Sequence, residues 1–179
     1  MKLVYEELVK ENKEAFIQKV KEISGRLGIN PNWLMLVMFM ESNINHRAVN
    51  PMGGATGLIQ FMPFVATELG TTTKQLLNMS NVQQLEYVEK YFKNWAKYVN
   101  GFTDLYLITF YPAALIQKRP DSWNFPSIVY QYNKGLDRNK DQIINLGEWK
   151  RYILSKVPKS FPMEELYHNA KKNDGSNLA

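Results

Sequence analysis

The chain of 179 residues contains no cysteine. That excludes disulfides, thiolate nucleophiles and Cys-ligated zinc, and it leaves the chain indifferent to redox conditions. Histidine is almost as scarce. His46 and His168 are too far apart in sequence to suggest a metal pair, and both read as surface or loop residues. No apolar run is long enough to span a membrane. The N-terminal stretch turns acidic at Glu6-Glu7 before any apolar run forms, so it does not read as a signal peptide. No internal repeat, interdomain linker or dense Lys/Arg block stands out, and without that block a nucleic-acid partner is not expected. The glycines of 53–57 lack the lysine and the strand context of a phosphate loop.

The composition is 45% hydrophobic and 22% charged, the balance of one compact soluble domain. Aromatic residues reach 13%, an excess that most often serves a core and only sometimes a sugar-stacking surface. The net charge of +5 suits attraction to an anionic polymer, whether nucleic acid, a membrane face or a cell wall, and selects none of them.

The patterning is helical. Phe16, Ile17, Val20, Ile23 and Leu27 recur at helical spacing and predict an amphipathic helix ending near Gly28. Pro31 suits the first turn of the next helix, and the run Trp33 to Met40 is apolar on all sides, which marks a central buried helix. From Asn43 to Met62 the pattern breaks into Asn, Gly, Pro and Thr; an irregular segment of that length inside a domain tends to be functional. Helical patterning resumes near Pro63, at Thr73–Met79, and at Val82–Val99, where Val82, Leu85, Val88, Phe92, Trp95 and Val99 form one stripe. Asp104 is expected to cap a helix reaching Ala114. The stretch Asp121 to Tyr132 reads as partly helical, with shorter helices at Trp149–Lys156 and Met163–Ala170. One domain over 1–170 and a polar tail over 171–179 result.

Glu41 stands where the apolar helix runs into the Asn/Gly-rich segment. A carboxyl at such a junction has apolar walls on one side and an open cleft on the other. Desolvation disfavours its charged form and holds a proton ready for donation near neutral pH. Ser42, Asn43, Asn45 and Asn50 follow, short hydrogen-bonding side chains suited to sugar hydroxyls and acetamido groups. No Asp or Glu occurs between Glu41 and Glu68, so a glycosidase using paired carboxylates would need its second acid from a distant element.

Glu41-Ser42, then Gly57-Leu58-Ile59-Gln60-Phe61-Met62-Pro63, then Tyr132-Asn133-Lys134-Gly135 resemble, in order, the three motifs of the Slt-type, goose-lysozyme-like lytic transglycosylases. The run Leu105 to Leu115, with Phe110-Tyr111-Pro112-Ala113-Ala114, further resembles phage-borne members. The resemblance implies an all-α, lysozyme-like fold with a cleft between helical lobes. It implies that Glu41 protonates the β-1,4 oxygen between MurNAc and GlcNAc, then deprotonates the sugar's own C6 hydroxyl to leave a 1,6-anhydro end. The substrate's N-acetyl group would give the help that a second carboxylate gives elsewhere, and no cofactor is needed. Ser42 would support Glu41. Gln60 and Met62 would line the cleft, Tyr132 and Asn133 would hold the sugar and orient Glu41, and Asn50 and Gly57 complete the expected substrate wall. Read singly, Gly57 also suits a turn of positive φ, Phe61 and Met62 a core, and Tyr132-Asn133 a helix cap. Two departures, Gln131 before Tyr132 and the Gly53-Gly54 pair, bear on substrate contacts.

Two other readings stay open. One is a hydrolytic muramidase of the same fold, in which an acid such as Asp104 or Asp121 positions a water. The other is a non-catalytic wall-binding component of a phage or secretion apparatus. The partner expected is peptidoglycan, met by a monomer in the periplasm or on a virion and delivered by a route other than a standard signal.

The segment Asp137 to Glu148 has the ligand spacing of an EF-hand loop. Asp137, Asn139, Asp141 and Glu148 offer side-chain oxygens, Ile143 its carbonyl, and Ile144 is the apolar residue at position 8. Gln142 stands where glycine is expected, and a left-handed residue there costs about 1–2 kcal/mol. The loop reads as a structural Ca²⁺ site bracing Tyr132-Asn133, or else as a solvated acidic turn.

Overall fold

The computed structural model describes residues 2–167. These hold nine α-helices and four short 3-10 turns; in place of a sheet there are three isolated β-bridges. The α-helices are α1 (Lys13–Leu27), α2 (Pro31–Ser42), α3 (Pro63–Glu68), α4 (Thr73–Asn78), α5 (Asn81–Lys93), α6 (Phe102–Phe110), α7 (Pro112–Ile116), α8 (Ser127–Tyr132) and α9 (Leu146–Leu154). No helix among the described residues is long and apolar enough to cross a membrane.

Helix α2 is the axis of the molecule. Its start is fixed by Pro31 in the first turn and by Asn30, whose side chain accepts the Asn32 amide. Trp33, Leu34, Met35, Leu36, Val37 and Met38 are all buried, so the helix has no solvent face over these two turns. Each such side chain contributes roughly 1.5–3 kcal/mol by leaving water. The Trp33 indole keeps its hydrogen bond by donating to the Glu165 carbonyl at 2.7 Å, which ties the C-terminal segment to the core. Helices α1 and α6 pack against α2, and α5 packs on α1. One continuous hydrophobic core runs from Leu3 to Leu166.

Three boundaries differ from the sequence reading. The stripe from Val82 to Val99 is not one helix: α5 ends at Lys93, and a 3-10 turn (Ala96–Tyr98) carries the chain on. Asp104 does not cap its helix; Gly101 holds that place, and the Asp104 carboxylate sits in the first turn, accepting the Asn100 amide at 2.9 Å. That helix stops at Phe110, because Pro112 has no N–H to donate and pushes Tyr111 out of helical backbone (φ −156°, ψ 76°). His46 is a correction of another kind. It lies in a loop but is only 6% exposed. Burial lowers its pKa, and Nε2 accepts from Arg47 Nε at 3.2 Å, as a neutral imidazole does. Glu11 lies 3.9 Å away, near enough for an ion pair, but the desolvation keeps His46 uncharged at neutral pH. His168, the end of the expected last helix and the tail over 171–179 lie outside the described residues.

Candidate active site

Glu41 occupies the last turn of α2, one residue before the helix ends. Asn43 and Ile44 then both take left-handed backbone (φ 55° and 60°), which turns the chain away and leaves Glu41 facing a cleft of about 790 Å³. Ile44 is β-branched, so its conformation is strained. The burial of its side chain and the Ile44 amide's bond to the Met38 carbonyl at 3.0 Å hold it there.

The opposite wall is the segment that follows. Thr56 bridges Val49 and Phe61, folding 49–61 into a compact loop that presents Asn50, Gln60 and Met62 to the same cleft as Glu41. Gly57 sits behind this wall with φ 83°, and a Cβ there would drive into the Gln84 carboxamide. Gln84 is fully buried on α5. It accepts the Leu58 amide at 3.0 Å and donates to the His46 and Leu76 carbonyls at 2.6 and 2.8 Å, so one side chain pins three segments. Ser42 likewise points away from the cleft space. Its hydroxyl has one proton, shared between the Met38 carbonyl at 3.1 Å and the Leu58 carbonyl at 2.9 Å. Gln60, at φ 52°, uses its amide N–H groups on the Ala48 and Gly57 carbonyls.

The floor comes from residues that sequence reasoning did not single out. On α6 the Tyr106 and Thr109 hydroxyls adjoin the Glu41 side chain and favour its charged form, while the Thr109 proton is donated to the Tyr106 carbonyl at 2.7 Å. Tyr91 of α5 lines the cleft, and its hydroxyl donates to the Ile108 carbonyl at 3.0 Å, joining α5 to α6 beneath Glu41. Burial pushes the Glu41 carboxyl above the usual glutamate range, and the two hydroxyl partners offset part of that rise. Burial and the neighbouring Glu41 charge also lift Tyr91 to about 12 and Tyr106 well above the usual phenol range, so both stay protonated donors. The Tyr106 ring stacks on the buried Trp149 of α9 at 5.9 Å, and Phe110 stacks on the same indole at 5.5 Å. This aromatic stack fixes the α6 face that Glu41 meets.

Of the expected substrate wall, Glu41, Asn50, Gln60 and Met62 share the cleft, and Ser42 and Gly57 support it from behind. Tyr132 does not reach it: at the end of α8 it is 79% exposed. Asn133 donates to the Val129 carbonyl at 3.0 Å and lines a separate depression of about 250 Å³ with Tyr106, Phe110 and Trp149. Neither Asp104 nor Asp121 lines the Glu41 cleft; Asp121 pairs with Lys150 at 2.7 Å. The other acid in the cleft is Glu68, exposed at the far end of α3.

The loop from Asp137 to Glu148 is held by side-chain to backbone hydrogen bonds. Asp137 accepts the Lys140 and Gln142 amides at 2.8 and 2.9 Å, Asn139 accepts the Asp141 amide at 3.1 Å, and Asp141 accepts the Ile143 amide at 2.9 Å. Gln142 takes left-handed backbone, φ 67°. Glu148, 2% exposed, closes a capping box with Asn145 at the start of α9. The acids of this turn are not gathered around one point. Among the described residues no group of three or more His, Asp or Glu stands close enough together to hold a metal ion.

The sequence pattern of the family described as Transglycosylase SLT domain matches residues 18–153. That span holds Glu41, the whole 49–62 wall and the α6 floor. Searches of curated proteins and of solved structures gave no match. The helical fold around a buried α2, and a cleft with one desolvated glutamate at its base, agree with that match. The chain belongs to the transglycosylase SLT domain family, with its lysozyme-like all-α fold and its peptidoglycan-cleaving function.

Proposed function

We propose that the protein is a lytic transglycosylase that cuts the β-1,4 bond between MurNAc and GlcNAc and leaves a 1,6-anhydro end, with Glu41 as acid and then base. The observation that carries this reading is the setting of Glu41: desolvated, beside the hydroxyls of Tyr106 and Thr109, and in a cleft where the only other acid among the described residues is the exposed Glu68. A desolvated carboxyl retains its proton for the glycosidic oxygen and, once ionised, is a stronger base toward the C6 hydroxyl. The hydroxyl partners steady the carboxylate between the two steps. A hydrolytic route needs a base to position water, and neither Asp104 nor Asp121 is in the cleft to do so. Asn50 offers its side-chain NH₂ to the sugar, Gln60 its side-chain oxygen, and Met62 an apolar edge. Cleavage in heavy-oxygen water tests the reading: intramolecular attack leaves the new ends unlabelled, whereas a muramidase labels every one.

A structural Ca²⁺ in the loop from Asp137 to Glu148 belongs to the same proposal, with Asp137, Asn139, Asp141, the Ile143 carbonyl and Glu148 as ligands. The left-handed Gln142 and the amides converging on Asp137 support it. Glu148 lies in the first turn of the helix that carries Trp149, so an ion there would brace the stack under Tyr106 as well as Asn133. Calorimetric titration with calcium tests this; no heat and no melting shift at about millimolar ion removes it. The enzyme is proposed to work as a monomer on the cell wall.

A further inference from the structure

The cleft continues past its catalytic floor. Glu68 and Leu69 at the α3 terminus line the same cleft as Lys90, Asn94 and Trp95. The chain runs on from Leu69 to Gly70-Thr71, which line a second depression of about 340 Å³ between α4 and α5. Lys90 stands between the two: it lines the cleft, and its ammonium lies 4.7 Å over the ring of Tyr87, a wall of the second depression.

Charge on α5 is sorted by face. Glu86 and Glu89 are taken by α1, through Lys19 at 3.0 Å and Arg26 at 2.7 Å. Lys90 has no carboxylate within ion-pair distance among the described residues, and it is the only cation lining the cleft. Glu68 shares the cleft but lies beyond ion-pair distance, so it leaves the ammonium open. In the depression beyond, the Gln75 carbonyl oxygen accepts from Thr71 and Thr72, and that of Gln83 accepts the Ser80 amide. Both NH₂ groups are left without a protein partner among the described residues, as donors for an incoming chain.

We propose that the groove from the outer cleft, over Lys90, into the depression between α4 and α5 binds the carboxylate-bearing stem peptide of the glycan. This rests on the function proposed above. MurNAc carries its peptide as a side branch, so a glycan lying in the cleft must send that branch out over a wall. This wall offers a cation for a peptide carboxylate, an aromatic face for its apolar side chains and NH₂ donors for its carbonyls.

The test compares kcat/KM of the full chain on glycan strands bearing stem peptides and on the same strands stripped by an amidase. Wild type is expected to favour the peptide-bearing strand about fivefold, the size of one exposed ion pair. Lys90→Ala brings that ratio close to one, and Lys90→Glu, which repels the carboxylate, takes it below one. Lys97→Ala, a surface lysine of the next turn outside the cleft, keeps the wild-type ratio. Equal rates on both strands for wild type, or a ratio untouched by Lys90→Glu, overturn the stem-peptide site and leave the Glu41 chemistry standing. Failure of wild type to cut either strand overturns both.

Discussion

The Ser42 hydroxyl lies 2.9 Å from the Leu58 carbonyl, sixteen residues on, and so fastens the residue after Glu41 to the loop that forms the opposite wall of the cleft. A serine beside the proposed acid thus acts here through the backbone rather than on a sugar. Ser42→Ala leaves the Leu58 carbonyl short of a donor and is expected to cost about 1 kcal/mol of stability. Because the wall then shifts relative to Glu41, kcat/KM should fall by roughly tenfold, within what a small misplacement costs. Denaturant melts and steady-state kinetics on solubilised glycan check both.

Gly57 and Gln84 form the second fastening. Gly57→Ala places a Cβ at φ 83° against a buried carboxamide, so strain and collision add, and a loss of about 2–4 kcal/mol is expected. Gln84→Leu leaves the Leu58 amide and the His46 and Leu76 carbonyls unpaired and should cost a similar amount. Equilibrium urea unfolding of each variant gives the numbers. A neutral effect at either position would show that the wall is held by something else.

The raised pKa of Glu41 has a signed consequence for stability. Its folded-state pKa lies above its unfolded value, so the stabilisation it contributes is complete below the ordinary glutamate range. That contribution is lost as pH rises through the folded value. Glu41→Gln should therefore raise the melting temperature at neutral pH, and the gain should vanish in acid. Tyr106→Phe removes a partner that favours the carboxylate, so the Glu41 pKa climbs further and the alkaline limb of the activity profile moves to higher pH. Melts at several pH values and a pH–rate profile test these two signs.

Gln142 holds a left-handed backbone in a place that suits glycine. Gln142→Gly should stabilise the fold by roughly 0.5–1 kcal/mol in the absence of any ion, since relief of strain outweighs the added chain entropy. If the loop takes calcium, the same change tightens binding. Thermal melts with and without calcium separate the two effects.

Much of this was legible in the sequence. The apolar run after Pro31 could only be a buried helix, Glu41 stood at its end, and the Asn/Gly-rich segment after it was too long for a mere connection. What stayed hidden depended on contacts across the chain. Tyr106 and Thr109 lie more than sixty residues from Glu41, and nothing in the periodicity of α6 says which of its faces meets that carboxylate. Gln84 carried a readable signal: it lies on the apolar face of α5 beside Leu85 and Val88, where a polar side chain is either a defect or a hub. Tyr132 shows the opposite limit. A short motif gives a residue's type, but a six-residue helix end at the surface does not bring that residue to the cleft.

The most direct test is mass spectrometry of peptidoglycan digested by wild type beside Glu41→Gln. The expected products are muropeptides with 1,6-anhydroMurNAc ends from wild type, and a loss of at least about a thousandfold in Glu41→Gln, since acid and base are removed together. Reducing MurNAc ends from wild type, or cleavage that survives Glu41→Gln, would contradict the single-glutamate mechanism.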